Sequence, residues 1–453
     1  MKYIIEPKKE TPILDTADVL VVGSGPGGLA AAIASARAGV KTVLVERYGC
    51  FGGNLTAVGV ESLAWYRHEK TIDTEGIGIE FERRAMAMGA TAQEVQSKSQ
   101  ALNTELFKHV ADTLVTESGV IPLLHCYGTE PIIAGNAVKG VVTESKSGRQ
   151  AILAKTVIDA SGDADIAFRA GAPCNLAPPP ERQAVTMVFS ACGVDKDRFM
   201  AYVESDPAKY SDWGEDWAQQ TSGLENDLFS PYLQKQFEQA LDENIIERSA
   251  WDFCGSWSTV SEDGQATYLN LAHLSNIDVL DIRDLTRAEI EGRAQVLELI
   301  KAMNHTVPGF ENARLRNFAM TLGTRDSRKI IGDYNLTGED VLNEARFEDS
   351  IGIFPEFVDG FGVLRLPLTG RYFQVPYRSI LPQNIENLLV AGRSIAGDQI
   401  SHAATRNMMC CAVSGQGAGV AAAVSVKQKT PCRRTPLSAI QKELARQGVR
   451  CHY

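Results

Sequence analysis

The residues with the most specific spacing lie near the start of the chain. Gly23, Gly25 and Gly28 form a GxGxxG set enclosing Pro26 and Gly27, and an acid, Glu46, follows 23 residues after Gly23. In such a set the first glycine allows a tight turn, the second lets backbone approach a pyrophosphate, and the third lets helix and strand pack closely. The helix that follows would offer unpaired N–H groups and a partial positive charge to phosphate. An acid at this distance accepts hydrogen bonds from adenosine ribose hydroxyls and works against a 2′-phosphate, and so against NADP. The pattern predicts a bound adenine dinucleotide; a purely structural turn in a parallel sheet is the competing reading.

Further along, His402 and Arg406 stand one helical turn apart and would share a face. A neutral imidazole there could take a proton, and the guanidinium could hold an anionic group. The alternative is a capping histidine and a structural arginine. Arg325 and Arg328 would also share a face if their segment is helical, giving a clamp for a carboxylate or phosphate. Pairing with Asp326 or Asp333 is the plainer reading, and Arg371 and Arg378, beside Tyr372 and Tyr377, carry the same ambiguity. The remaining histidines (His68, His109, His125, His273, His305, His452) show no ligand spacing, and the nine cysteines include no CxxC pair.

These side chains need elements to hold them. Residues 17–22 (ADVLVV) predict a strand ending at Gly23, residues 29–38 an alanine-rich helix closed by Gly39, and residues 42–45 a second strand ending at Glu46. Asn103 predicts the cap of an amphipathic helix through Glu117, with Leu106, Val110 and Leu114 as its apolar stripe. Residues 121–125 predict another strand of the same sheet. Residues 138–143, 151–154 and 156–160 predict short strands about a turn at 146–149. Asp284 predicts the cap of a helix through Asn304 whose alternating charges suit a solvated face. Ser401 predicts the cap of one long small-residue helix that starts at His402 and passes Gly419.

Further segments carry a family signal. After Glu46 come Arg47 and then Gly52-Gly53-Asn54; IDASGD spans 158–163; NLLVAGR spans 387–393 and is followed by Gly397-Asp398. In these the chain resembles the FAD-binding members of the glutathione-reductase-like (two-domain Rossmann) flavoprotein superfamily. Glu6-Pro7, Thr11-Pro12, DVLVVG at 18–23, RDSRKIIGDY at 325–334, VPYR at 375–378, and Arg406 with GQGAG at 415–419 resemble, more narrowly, the FAD-dependent oxidoreductase family. The resemblance touches both ends and the middle of the chain.

It implies an α/β fold: a Rossmann-type FAD-binding domain with a βββ meander, built from residues 1–172 and 371–453, plus an inserted α+β substrate or cap domain over 173–370. It implies FAD as cofactor, with Arg47, Gly52, Gly53, Asn54, Ala160, Gly162, Gly392, Asp398 and Ala403 joining the glycine motif and Glu46 around it, Asp398 on the ribitol. Around a flavin, His402, Arg406 and Arg325 become the expected catalytic residues. The start of the last helix would stabilise negative charge on the N1/O2 edge of reduced flavin. A covalent bond from Cys50 to the flavin is a further option. Trp213, Trp217, Trp251 and Trp257 of the inserted region are either ordinary core or the lining of a substrate cavity.

The sequence has no second GxGxxG, so no separate nicotinamide domain is expected, and the electron acceptor is left open among oxygen, a quinone, a protein carrier and the substrate itself. Of 453 residues, 45 are basic and 56 acidic, a net charge of −11. That balance opposes a long phosphate-tracking surface, so no nucleic-acid partner is expected. The odd cysteine count suits a reducing compartment, and residues 1–16 are too polar for a signal peptide. The apolar runs 19–36 and 408–426 are interrupted by glycines and polar residues, so no membrane span is expected. The reading is a cytoplasmic FAD-dependent oxidoreductase, with homo-oligomerisation open, that moves a hydride between a small organic substrate and flavin as a dehydrogenase, oxidase or C=C reductase. The alternatives are a flavin-dependent monooxygenase, an RNA-modifying flavoprotein or a non-catalytic electron-transfer subunit.

Overall fold

The strand Ile13–Val22 buries Val19, Leu20 and Val21 completely, as expected of a parallel strand covered on both faces. In the computed structural model, which describes residues 3–5, 8–63, 66–67, 71–93, 99–205, 218–220, 233–247, 251–253, 259–365 and 370–452, this strand is central to a seven-stranded sheet. It pairs in parallel with Thr42–Val45 on one side and Gly148–Asp159 on the other, and Ile121–Leu123 adds beyond Thr42–Val45. Gly148–Asp159 is long enough to serve two neighbours on its far edge. Its first part runs antiparallel to Ala137–Ser145, and its last three residues run parallel to Leu388–Val390. Tyr127–Ala134 completes the meander.

This is the Rossmann-type sheet with its βββ meander. The carboxyl ends of four parallel strands, at Val22, Val45, Asp159 and Val390, stand in register side by side. Residues 151–154 and 156–160, expected as two short strands, fall almost wholly in one continuous strand, which starts at Gly148 within the expected turn and ends at Asp159. Tyr127–Ala134 was not foreseen, because it is an edge strand that carries Pro131 and has no apolar alternation.

The helix Pro26–Arg37 covers one face, burying Leu29 to Ala34. Against it lies Met408–Gln428, long and apolar enough to cross a membrane by length and composition, but with 94% of its apolar window buried inside the fold. A Cβ on Gly415 would overlap the Gly27 carbonyl, and one on Gly419 the Ala31 carbonyl. Four residues apart, the two glycines share a face. Their smallness serves this helix crossing.

The expected single C-terminal helix is two. Gln399–Thr405 is capped by Asp398, whose Oδ1 accepts from the Ser401 N–H at 2.8 Å, so Ser401 is inside the helix rather than its cap. Asn407 ends it by donating Nδ2 to the Ala403 and Ala404 carbonyls at 3.2 and 2.8 Å, and Met408–Gln428 then starts afresh. Likewise Asp281, not Asp284, caps Ile282–Thr306, while Asp284 pairs with Arg287. Asn103 caps Thr104–Glu117 by accepting from the Leu106 N–H at 3.0 Å, although Leu106 itself is exposed and Phe107 takes its place in the buried stripe.

A second sheet sets Val185–Cys192 antiparallel between Gln265–Leu274 and Arg314–Phe318, with Trp251–Phe253 and Thr259–Val260 pairing on Gln265–Leu274. The helix Ile282–Thr306 packs on it, and together they enclose their own apolar core between Val185 and Leu322. From Ile330 onward the apolar residues rejoin the first unit's cores, well before position 370. Trp213, Trp217, Trp257, His68, Glu6 and Pro7 lie outside the described residues.

Candidate functional site

Loops leaving the four aligned strand ends surround a cleft of about 1060 Å³, counting space open to solvent at its mouth. Open α/β sheets bind ligands at this place. The glycines of the first loop divide by what a side chain would meet. At Gly23, with φ +95°, a Cβ would overlap the Ala160 carbonyl, and at Gly28 it would overlap the Gly23 carbonyl. At Gly25 a Cβ would meet nothing within 4 Å, because that position faces the open cleft. Gly25 is also the N-cap of Pro26–Arg37 and offers no side-chain cap, so the Gly27 and Gly28 N–H groups have no acceptor among the described residues. Such donors suit a pyrophosphate.

Glu46, buried, follows the neighbouring strand. Its Oε2 accepts from the Ser24 N–H and hydroxyl at 2.8 and 2.6 Å, and its Oε1 from the Tyr48 N–H at 2.9 Å. A carboxylate offers about four acceptor sites, so room remains for a ribose hydroxyl.

The cleft wall is completed by the second unit. Residues 319–325 form a strap: the Ala319 N–H bonds the Val188 carbonyl at 2.8 Å, the Met320 N–H bonds the Ala57 carbonyl at 2.9 Å, and Gly323 exchanges both backbone bonds with Thr186. Oε1 of Glu289, from the long helix, accepts from the Thr321 hydroxyl at 2.8 Å and the Leu322 N–H at 2.9 Å. Thr321, Leu322 and Thr324 thereby share the cleft with Ala57, Val58, Arg406, Met408 and Cys411.

Three guanidiniums line the cleft, those of Arg47, Arg393 and Arg406. Arg393 pairs with Asp163 at 2.7 Å, and Arg406 donates to the Asp359 carbonyl at 2.6 Å; the Nε of each is buried and has no acceptor among the described residues. Burial pushes the Asp163 carboxyl up, but Arg393, the Ser327 hydroxyl and Arg47 outweigh it and hold the group below the usual carboxylate range. The Cys411 thiol is pushed up to about 12 by burial, which keeps it protonated and inert as a nucleophile.

A family model described as "FAD dependent oxidoreductase" matches residues 18–444. The chain belongs to that family. It is an enzyme family, and FAD is its cofactor. Among curated relatives, a dihydrolipoyl dehydrogenase of Trypanosoma brucei brucei is 52% identical over 48 residues, covering 11% of this chain and 10% of that enzyme. Digeranylgeranylglycerophospholipid reductase 1 of Methanopyrus kandleri is 27% identical over 228 residues, covering 48% of this chain and 60% of that one. The chain thus spans less than two thirds of the length of these relatives. Among solved structures, the flavin-dependent brominase Bmp2 superposes with a TM-score of 0.51 at 14% identity, over 94% of this chain and 83% of that one, a likeness of fold.

Of the residues expected around FAD, Gly23, Gly25, Pro26, Gly27, Gly28, Glu46 and Arg47 line the cleft. So do Gly53, Asn54, Ala160, Gly162 and Gly392. Gly52 stands just behind, its N–H bonded to the Ser24 carbonyl at 2.9 Å. Asp398 and Ala403 do not line it. The Asp398 carboxylate is occupied by helix capping and by the Gly338 N–H at 2.8 Å, and Ala403 is fully buried. The charged residue that follows the last parallel strand into the cleft is the cation Arg393, not an acid.

Of the expected catalytic residues, Arg406 alone reaches the cleft. His402 is buried behind it; its Nε2 lies 3.0 Å from the Arg325 carbonyl, and burial, then Lys329, pull its pKa down to about 3, so it is neutral. The segment carrying Arg325 and Arg328 is irregular rather than helical, and the two side chains part. Arg325 donates to the Ala184 carbonyl, the Thr186 hydroxyl and Asn270, whereas Arg328 pairs with Asp165 at 3.1 Å and lies over the Phe168 ring. Arg371 and Arg378 are paired with Glu356 and Asp349. Cys50 is outside the lining, its thiol 3.7 Å from the Thr56 hydroxyl.

Sequence reasoning missed Arg393, although it directly follows Gly392 in the quoted motif. It also missed Ala57, Val58 and residues 321–324, for which the sequence carries no signal. The helix start that faces the cleft is that of Met408–Gln428, through Met408 and Cys411.

Proposed function

We propose that this FAD-dependent oxidoreductase, of the glutathione-reductase-like superfamily, transfers a hydride between a small organic substrate and flavin as a dehydrogenase, oxidase or C=C reductase. The observation that carries the reading is the strap 319–325. It brings a second unit against the cofactor cleft, so the cleft gains an apolar wall of Ala57, Val58 and Leu322 that can exclude water from a reacting C–H. FAD, when bound, supplies the two-electron chemistry. The chain's part is to hold and orient. The Gly27 and Gly28 N–H groups hold the pyrophosphate, and Glu46 accepts from the ribose. Arg406, on the cleft wall, sets its positive charge toward an anionic group, and the start of Met408–Gln428 adds positive potential. With no second GxGxxG in the sequence, oxygen, a quinone or a protein carrier would take the electrons onward. We place the protein in the cytoplasm, working on small molecules without a nucleic-acid or membrane partner, on the strength of its acidic balance and the free thiols of its described residues.

The test is anaerobic photometry of the purified yellow protein against amino acids, hydroxy acids, sugars and amines. Bleaching by one class supports the reading and names the substrate. Rapid bleaching by NADH or NADPH alone would turn it toward a monooxygenase, and copurifying tRNA toward RNA modification.

A further inference from the structure

The three guanidiniums of the cleft stand in an order. Arg47 follows Glu46 beyond Thr42–Val45, Arg393 follows Leu388–Val390, and Arg406 closes Gln399–Thr405. Their charges reach shared neighbours in the same order. Burial pushes the Asp163 carboxyl up, while Arg393, the Ser327 hydroxyl and then Arg47 draw it down. Burial likewise pushes the Cys411 thiol up, while Arg393 and then Arg406 draw it down. Arg393 is therefore the middle cation, with Glu46 and Arg47 toward one end of the cleft and Arg406 toward the other. In a flavin dinucleotide whose adenosine ribose meets Glu46, the diphosphate falls in the middle.

The backbone brings Arg393 beside the free phosphate donors. A Cβ on Gly27 would lie 2.9 Å from the Gly392 nitrogen, so the residue before Arg393 touches the glycine turn itself. Gly392 has φ +83°, and its N–H donates to the Ser414 hydroxyl at 3.1 Å, which fixes the peptide where the chain leaves the strand. At Gly162, with φ +88°, a Cβ would come within 2.9 Å of the guanidinium carbon and of both terminal nitrogens. The guanidinium thus lies against the ends of Gly148–Asp159 and Leu388–Val390, next to the turn after Ile13–Val22.

It is held there at one corner. One terminal nitrogen donates to Asp163 Oδ1 at 2.7 Å, and the same oxygen accepts from the Ser327 hydroxyl at 2.5 Å. Of the five N–H groups a guanidinium carries, the others have no acceptor among the described residues. Asp398, the acid expected at the cofactor from this part of the chain, is spent on helix capping.

We propose that Arg393 is the cation that holds the diphosphate of FAD, together with the Gly27 and Gly28 N–H groups. The inference rests on FAD as the cofactor and not on the hydride-transfer reading. A planar guanidinium can meet two phosphate oxygens at once, which a lysine in its place cannot, and an acid there would repel them. Asp163 keeps the fork in place while the cleft is free, and Gly162 leaves the room it lies in.

The experiment titrates the full-length apoprotein by calorimetry with FAD and with ADP-ribose, which keeps the adenosine and the diphosphate and lacks the flavin. The proteins are wild type, Arg393→Lys, Arg393→Met, Asp163→Asn and the double variant Asp163→Asn/Arg393→Met. Arg393→Met alone strands the Asp163 charge and can fail to fold; the double variant strands none, and urea unfolding of each apoprotein identifies the folded ones. From Asp163→Asn to the double variant, the Kd of FAD and that of ADP-ribose should rise by the same factor, about 10- to 150-fold, the worth of one hydrogen bond to a charged group. Arg393→Lys should lose less, because it keeps the charge and gives up the fork. A double variant that binds both ligands as Asp163→Asn does overturns the assignment. FAD weakened with ADP-ribose unchanged overturns it too and moves Arg393 to the flavin half of the cofactor. Wild-type protein that takes up FAD but not ADP-ribose overturns it as well, since the diphosphate then contributes little. No substrate enters these measurements, so their outcome is separate from that of the bleaching panel.

Discussion

Gly25→Val separates cofactor binding from folding. Gly25 has φ −59° and ψ 178°, a conformation open to any residue, and a Cβ there meets nothing within 4 Å. The folded protein should therefore tolerate the change. Losing glycine's flexibility in the unfolded chain stabilises by about 0.4–1 kcal/mol, and losing a favourable N-cap glycine costs up to about 1 kcal/mol, so the net is close to zero. FAD binding should not tolerate it. The valine would project into the cleft where the Gly27 and Gly28 N–H groups point, and charge-assisted hydrogen bonds to phosphate are each worth about 1.5–3 kcal/mol. Loss of two amounts to about 3–6 kcal/mol, a rise in Kd of roughly 10²–10⁴-fold. The assay is titration of the apoprotein with FAD by flavin fluorescence, alongside urea unfolding of the same apoprotein. Gly28→Ala is the control: its Cβ would overlap the Gly23 carbonyl, so it should damage the fold itself. A Gly25→Val protein that stays fully yellow with the wild-type Kd would refute the placement of the pyrophosphate at this helix start.

Other outcomes follow from the same geometry. Arg406→Ala should keep FAD, since Arg406 is one wall residue among many, but slow substrate reduction of the flavin about 10- to 150-fold, the worth of one hydrogen bond to a charged group; unchanged single-turnover rates would strike it from the site. Glu289→Ala frees Thr321 and Leu322 from their shared acceptor and should raise the FAD Kd about tenfold, with Glu289→Gln, which keeps a carbonyl acceptor, close to wild type. Equal FAD affinities in all three proteins would show that the strap needs no such anchor. His402 should make the fold acid-sensitive. Its folded pKa, near 3, lies below the ordinary 6.5, so as pH falls from 6.5 toward 3 the unfolded chain takes up a proton that the folded chain refuses, and stability drops by roughly 1.4 kcal/mol per pH unit. Urea midpoints of wild type and His402→Gln should converge as the pH is lowered through that window; a constant gap would mean that His402 protonates in the folded state.

The sequence by itself determined the local parts. The strand 17–22, the glycine turn and the helix after it follow from their types: a short apolar run ending in glycine suits an inner parallel strand, and Gly23 and Gly28 stand where backbone atoms leave no space for a Cβ. Glu46 was legible for the same reason, since its distance from the turn is fixed by one helix and one strand. What the tertiary structure decided is everything set by meetings between distant segments. His402 and Arg406 do stand one turn apart, the Arg406 N–H bonding the His402 carbonyl at 3.0 Å, yet packing buries one side chain while it gives the other to the cleft. Glycines 415 and 419 could have faced a flavin or another helix; only the crossing with Pro26–Arg37 chose between them. The strap 319–325 carries no motif at all. Its role comes from long-range contacts, in which backbone partners stand more than a hundred positions apart, and neither spacing nor hydrophobic period encodes which face of one unit will meet which face of another.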